Sequence, residues 1–274
     1  MTAPADTESP RHHARGGRLS DRLLALVGEL LIIAGAVLGL YVVWQLFYTD
    51  VTSDREQEAL VESLEWAYQG PVEAAADAPA GDVDEVPEAD VPLVIADEDK
   101  GAPADAPVPD EVGFTETFAT MYVPRWGSDY VKPVSEGVTR RDVLDTLGIG
   151  HYPGTAMPGG LGNFAISAHR TTYGKPFNRI AELQEGDAIV IQTAENWYVY
   201  RAGEHLIVTP SQVEVIAPVP GAPGAEPDDH YITLTSCHPM YSAAERYIVH
   251  GVLEYWAPVG DAVPAEILEE VPQP

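Results

Sequence analysis

The chain has 274 residues, 45% of them hydrophobic, and its 43 acidic against 15 basic side chains give a formal net charge of −28. That length accommodates one ordinary domain of about 150 residues together with anchoring and linking segments. So acidic a surface repels nucleic acid, and the sequence has no basic, aromatic-studded stretch, which excludes DNA and RNA as partners.

Residues 1–22 are polar, with His12, His13 and several Gly and Arg, and read as a short cytoplasmic N-terminus. Residues 23–48 read as a membrane anchor, because Leu23 to Phe47 is apolar apart from Glu29 and Gln45. About 20 apolar residues rising ~1.5 Å each cross the ~30 Å hydrocarbon core. The stretch ends in Val43-Trp44-Gln45-Leu46-Phe47-Tyr48, too bulky for signal-peptide cleavage, while Trp44 and Tyr48 suit a headgroup belt. Arg11, Arg15, Arg18 and Arg22 precede the span, whereas Asp50, Asp54, Glu56 and Glu58 follow it. The positive-inside rule therefore predicts a single-pass protein of the cell membrane with everything after the span outside. Glu29 has two readings that stay open. It is an intramembrane functional carboxylate, costing about 2.5–3.5 kcal/mol at mid-bilayer, or a group that snorkels to the cytoplasmic headgroups.

Residues 49–113 are expected to form a juxtamembrane segment and a stalk. Thr52 to Gln69 suits a short helix with Leu60, Val61 and Leu64 on one side. From Gly70 to about Val112 the composition turns to Ala, Pro, Asp, Glu and Val without apolar periodicity, which predicts a disordered, self-repelling coil. Residues 114–261 form the expected compact domain, and 262–274 an acidic tail. Short β-branched and aromatic runs punctuated by Gly, Pro and Asp predict strands at Phe118–Pro124, Gly162–Ala168, Ala188–Thr193 and Trp197–Ala202, and again at His205–Thr209, Val213–Pro218, Tyr231–Ser236 and Arg246–Trp256. Thr139–Leu147 and Pro176–Leu183 read as short helices. Some eight strands with few helices predict a mainly β domain closed into a barrel.

Cys237 is the only cysteine, so no intrachain disulfide forms. It ends the strand-like run Tyr231–Ser236 and precedes His238-Pro239, a place where side chains reach a cleft. On position alone, a small buried hydrophobe is the better reading. The surrounding text decides the matter. Thr233-Leu234-Thr235-Ser236-Cys237 resembles the TLxTC signature of the sortase family, with serine at a place many members give to threonine. Arg246 opens the run Arg246-Tyr247-Ile248-Val249-His250-Gly251, as the family's active-site arginine does. Upstream, Asn163-Phe164-Ala165-Ile166-Ser167-Ala168-His169-Arg170 resembles the segment ending in the catalytic histidine, with Ala168 in place of the commoner glycine. With His151-Tyr152-Pro153-Gly154-Thr155 and the Cys-His-Pro, the chain is most similar to class E sortases of high-GC Gram-positive bacteria.

The resemblance implies an eight-stranded sortase-type barrel and a cysteine transpeptidase with Cys237, His169 and Arg246 as catalytic residues and Thr235 near the substrate. Neither metal nor organic cofactor is implied. A thiolate is the nucleophile, a neighbouring imidazole supplies and removes protons, and a guanidinium fork holds a developing oxyanion. The implied partners are secreted proteins bearing a C-terminal sorting signal of the LAxTG or LPxTG kind, cut at the Thr–Gly bond, and a peptidoglycan precursor whose amine accepts the acyl group. A pilin-polymerising sortase and a membrane-tethered cysteine protease are the alternatives. Between the two nearest histidines, His169 is favoured over His238, because adjacent residues on a strand point to opposite faces.

Overall fold

The computed structural model describes residues 17–44, 48–68, 70 and 93–268, and the chain divides into two units, Met1–Tyr48 and Thr49–Pro274. The first unit holds helix α1, Gly17–Val43. Its stretch Asp21–Val43 is long and apolar enough to cross a membrane, and Leu24, Leu31, Ile32 and Leu40 stand exposed along it.

The second unit begins with helix α2, Thr49–Ser63, and is built around a closed barrel. The barrel strands are β2 (Thr117–Tyr122), β3 (Val131–Glu136), β4 (Ile149–His151), β5 (Gly162–Ser167), β6 (Ala188–Thr193), β7 (Asn196–Val208), β8 (His230–His238) and β9 (Glu245–Pro258). They close in the order β2-β3-β4-β5-β8-β9-β7-β6. Two short strands, β1 (Leu93–Val94) and β10 (Ala262–Val263), pair in parallel outside it. The expected mainly β closed barrel is thus the observed fold.

Period-2 alternation explains how the sheet buries both faces on one side. Ile189, Ile191, Tyr198 and Tyr200 point to the barrel interior with Phe164, Ile166, Ile232, Leu234 and Val249. Their neighbours Ala188, Val190, Trp197 and Val199 join Tyr122, Tyr255 and Ala257 in a second cluster, which Ile95, Val263 and Ile267 cover. A strand buried on both faces reads as a continuous apolar run rather than as an alternating one, as Ala188-Ile189-Val190-Ile191 does.

The boundaries drawn from composition are too narrow on both sides. Leu93–Val94 pairs with Ala262–Val263, Gly101 N–H donates to Trp256 O at 2.8 Å, and the Tyr198 hydroxyl donates to Pro107 O at 2.8 Å. These are mostly backbone and single-side-chain contacts, which leave no apolar periodicity to read. α2 also belongs to this unit. Beyond its end, the Trp66 carbonyl accepts from Gln192 Nε2 at 2.7 Å and Tyr68 N–H donates to Gln192 Oε1 at 2.8 Å. Segment 71–92, the first half of the expected coil, lies outside the described residues, yet the chain is docked on the barrel on either side of it.

Among the elements, Val213–Pro218 is not a strand: Val213–Ile216 is a 3-10 turn whose Val215 packs with Val208 and Ile248 on the barrel's outside. The runs read separately as Trp197–Ala202 and His205–Thr209 are one strand, β7, with a register shift between Ala202 and His205. β3 and β4 were absent from the sequence reading, the first because Pro133 interrupts it and the second because it is three residues long. Pro133 is tolerated because β4 pairs only with Val134–Glu136, so the proline's missing N–H faces no strand there. Thr139–Leu147 contains one wide helical segment, Arg140–Leu144, and Pro176–Leu183 a single 3-10 turn, Ile180–Glu182.

Candidate active site

Three neighbouring strands, β5, β8 and β9, carry the sequence-selected residues to one edge of the barrel. β5 and β8 run parallel with Ser167 opposite Thr235. The same 68-residue offset separates His169 from Cys237. The register is carried past the end of β5 by Ala168, whose N–H donates to Thr235 O at 3.2 Å and whose carbonyl accepts from Ser236 Oγ at 2.9 Å. Serine at position 236 therefore keeps the hydroxyl that a threonine would supply. On the other flank β9 is antiparallel to β8, and Cys237 is paired directly with Arg246. Directly paired residues share a face of the sheet, so thiol and guanidinium stem stand side by side. Cys237 is half-buried and free.

The face opposite the thiol is occupied by a different set. Arg170, buried, donates through Nη1 to His238 Nδ1 at 2.8 Å and to the Cys237 carbonyl at 3.3 Å. Its guanidinium lies 5.2 Å from the Tyr247 ring centroid, and the His238 ring lies 5.7 Å from the same ring. His238 therefore accepts a hydrogen bond from a permanent cation, which engages its Nδ1.

His169 has a partner that sequence reasoning missed. Its Nε2 is 2.7 Å from Asp145 Oδ1, so the neutral ring donates Nε2–H to the carboxylate and leaves Nδ1 as the proton-accepting nitrogen. Burial is the main influence on its pKa and lowers it; Asp145 opposes this by hydrogen bond and charge, while Arg140 adds to the lowering. Arg140 reaches Asp145 at 3.4 Å, and the Tyr173 ring packs 5.1 Å from the His169 ring. The only signal for Asp145 in the sequence was its place at the end of the helical stretch beginning at Thr139; nothing in the spacing connected it to His169.

Arg246 donates through Nη1 to the carbonyls of Ala243 at 3.0 Å and Glu245 at 2.9 Å. These two bonds fix one arm of the fork against its own loop. Thr235, selected as a residue near the substrate, is only 3% exposed. Its hydroxyl donates to Ile166 O at 3.2 Å and meets the Tyr152 hydroxyl at 3.1 Å, so Tyr152 is the outer member of that pair. Thr233 is locked similarly: its hydroxyl donates to Asn163 Oδ1 at 2.7 Å and lies 2.9 Å from His250 Nδ1. Asn163 Nδ2 in turn donates to Ala217 O at 3.0 Å, tying the long connection between β7 and β8 to β5. Among the described residues no group of three His, Cys, Asp or Glu side chains converges as a metal site requires.

The class these features define is a closed, mainly β barrel with a free cysteine, a carboxylate-paired histidine and an arginine at or just past the ends of three adjacent strands. Comparison with known proteins narrows the class. Residues 121–254 match the family model described as the sortase domain. The chain is 30% identical to sortase SrtE2 of Streptomyces coelicolor over 98% of its own length and 100% of that protein. It is 31% identical to sortase SrtE1 of the same organism over 91% of this chain, but it spans only 63% of that relative's length. The solved structure of the SrtA sortase from Actinomyces oris superposes with a TM-score of 0.58 at 44% identity, covering 62% of this chain and 97% of that one. The chain belongs to the sortase family, and the class E resemblance read from its motifs agrees with its Streptomyces relatives.

Proposed function

We propose that this protein is a membrane-anchored cysteine transpeptidase that cuts a C-terminal sorting signal on secreted proteins and joins them to a cell-wall precursor amine. The observation that carries the reading is the direct pairing of Cys237 with Arg246 across β8 and β9, with His169 two residues past the end of β5, whose register sets Ser167 opposite Thr235. In the first step the Cys237 thiolate adds to the carbonyl carbon of threonine in the signal. The negative charge passes to the carbonyl oxygen, which the free arm of the Arg246 fork stabilises. The Thr–Gly C–N bond then breaks, and the departing amine takes a proton from the His169 imidazolium. In the second step the acceptor amine attacks the thioester, gives its extra proton to His169, and releases the thiolate. Asp145 fixes the His169 tautomer throughout. Thr235 serves as a positioning residue that orients the Tyr152 hydroxyl toward the signal peptide.

The apolar helix α1 supports single-pass anchoring, and the basic residues before it and acidic ones after it support an extracytoplasmic barrel. The test is mass spectrometry of the protein incubated with LAxTG and LPxTG peptides, with and without an added amine. The expected result is an acyl adduct on Cys237, amine-dependent transfer product, and neither in Cys237→Ala. Water-captured product alone points to a protease, and preference for a pilin lysine over a wall-type amine to a pilin-polymerising enzyme. Persisting transfer in Cys237→Ala removes the proposal.

A further inference from the structure

Helix α2 directly follows the candidate membrane span in the sequence, yet its polar face grips both groups that flank the His169 ring. Asp50, Ser53 and Gln57 are spaced three and four residues apart, which places them on one stripe of the helix. Ser53 Oγ donates to the backbone carbonyl of Asp145 at 3.3 Å, and the carboxylate of the same residue holds His169 Nε2. Gln57 Nε2 donates to Tyr173 O at 3.1 Å, and the Tyr173 ring packs on His169 from the other side. Asp50 accepts from Gly174 N–H at 3.0 Å and pairs with Lys175 Nζ at 2.5 Å.

The gripped loop does not hold its own shape. Tyr173, Gly174 and Lys175 have consecutive φ angles of 56°, 73° and 37°. Two of the three are not glycine, and such backbone persists only where neighbours determine it. Gln57 is fully buried in a slot that two glycines open. A Cβ on Gly174 would sit 2.7 Å from Gln57 Oε1, and one on Gly148 3.0 Å from Gln57 Cδ. Gln57 Oε1 has no hydrogen-bond partner, so a leucine would fill this slot without the desolvation penalty that the amide carries. What the amide provides, and leucine cannot, is the bond to the Tyr173 carbonyl.

We propose that α2 is a positioning element of the active site, in which Asp50, Ser53 and Gln57 hold His169 in its working orientation through Tyr173 and Asp145. The inference rests on the reading of His169 as the catalytic histidine. Asp54 gives an internal comparison, because its carboxylate pairs with Lys132 on β3.

The test uses the full chain in detergent micelles, with Asp50→Ala/Gln57→Ala, the milder Ser53→Ala, and Asp54→Ala beside the parent. Amide hydrogen exchange over residues 168–176 reports the loop; kcat, KM and the pH profile of transfer report the chemistry. The double variant should exchange faster over that stretch and lose roughly 10- to 100-fold in kcat, as a misplaced catalytic group does, with KM nearly unchanged. Asp54→Ala should leave both readouts at the parent level, and Asp50→Asn/Gln57→Ala, which restores an acceptor for Gly174 to the double variant, should recover part of kcat. Unchanged exchange in the double variant overturns the proposal. So does faster exchange with parental kcat and pH profile, or an equal kcat loss in Asp54→Ala, which would mean only general destabilisation. If the parent shows no Cys237-dependent transfer, the catalytic reading fails, while exchange still decides whether α2 fixes the loop.

Discussion

Asp145 sets the protonation of His169 against the pull of burial. Burial lowers the imidazole pKa below its ordinary value, and the carboxylate at 2.7 Å partly restores it. Asp145→Asn removes the restoring charge but keeps a hydrogen-bond acceptor, so the imidazolium becomes harder to form. The limb of the pH–rate profile that reports His169 should move toward lower pH, and transfer near neutral pH should fall because less imidazolium is available to protonate the leaving amine. Rates of thiol alkylation and of peptide transfer between about pH 5 and 9 check this. An unmoved profile would mean that Asp145 tunes nothing. His238 offers a contrast at the same scale: adjacent to the thiol in sequence, it is already engaged through Nδ1 by Arg170.

Elements transmit these residue-level positions, and β4 shows how little slack they have. A Cβ on Gly150 would sit 2.2 Å from the Gly137 carbonyl, with Leu144 Cδ2 at 3.0 Å and Val143 Cγ1 at 3.1 Å. Backbone oxygen cannot swing aside as a flexible side chain does, so Gly150→Ala should push on the Arg140–Leu144 segment that leads into Asp145. The expected cost is about 1–3 kcal/mol, the usual penalty of overpacking. A lower thermal midpoint and a reduced transfer rate would register it, whereas a parental melt would show that the segment yields freely. Such constraints also explain what was legible in the sequence. Strands with both faces buried, such as β6 and β8, announce themselves as runs of β-branched residues, and the Cys, His and Arg motifs lie on or just after strands of this kind. β3 was hidden by Pro133 and β4 by its brevity. The docking face of α2 was hidden for a different reason. Leu60, Val61 and Leu64 suggested an apolar stripe, but Ser53 and Gln57 are buried through hydrogen bonds that no hydrophobic pattern encodes. Asp145 was out of reach likewise, since its link to His169 exists only after β4 and β5 have paired.

At the scale of the whole molecule, the net charge of −28 and the acidic run in 71–92 change meaning once both flanks are known to dock. A segment between an anchor and a domain would be a spacer, whereas 71–92 connects two parts of the same unit. Loop-closure entropy varies slowly with length, so halving 71–92 should shift stability by only about 0.6 kcal/mol. Thermal melts and peptide transfer by the shortened chain are expected to match the parent closely; lost transfer would make the segment part of the site. This placement has a consequence for proteolysis. A proteolytic cut within 71–92 would divide the polypeptide into a piece carrying α1 and α2 and a piece carrying the barrel. The two would stay together through the face of α2 and the Trp66 and Tyr68 hydrogen bonds to Gln192, so retention of the barrel would be governed by a dissociation constant instead of a peptide bond.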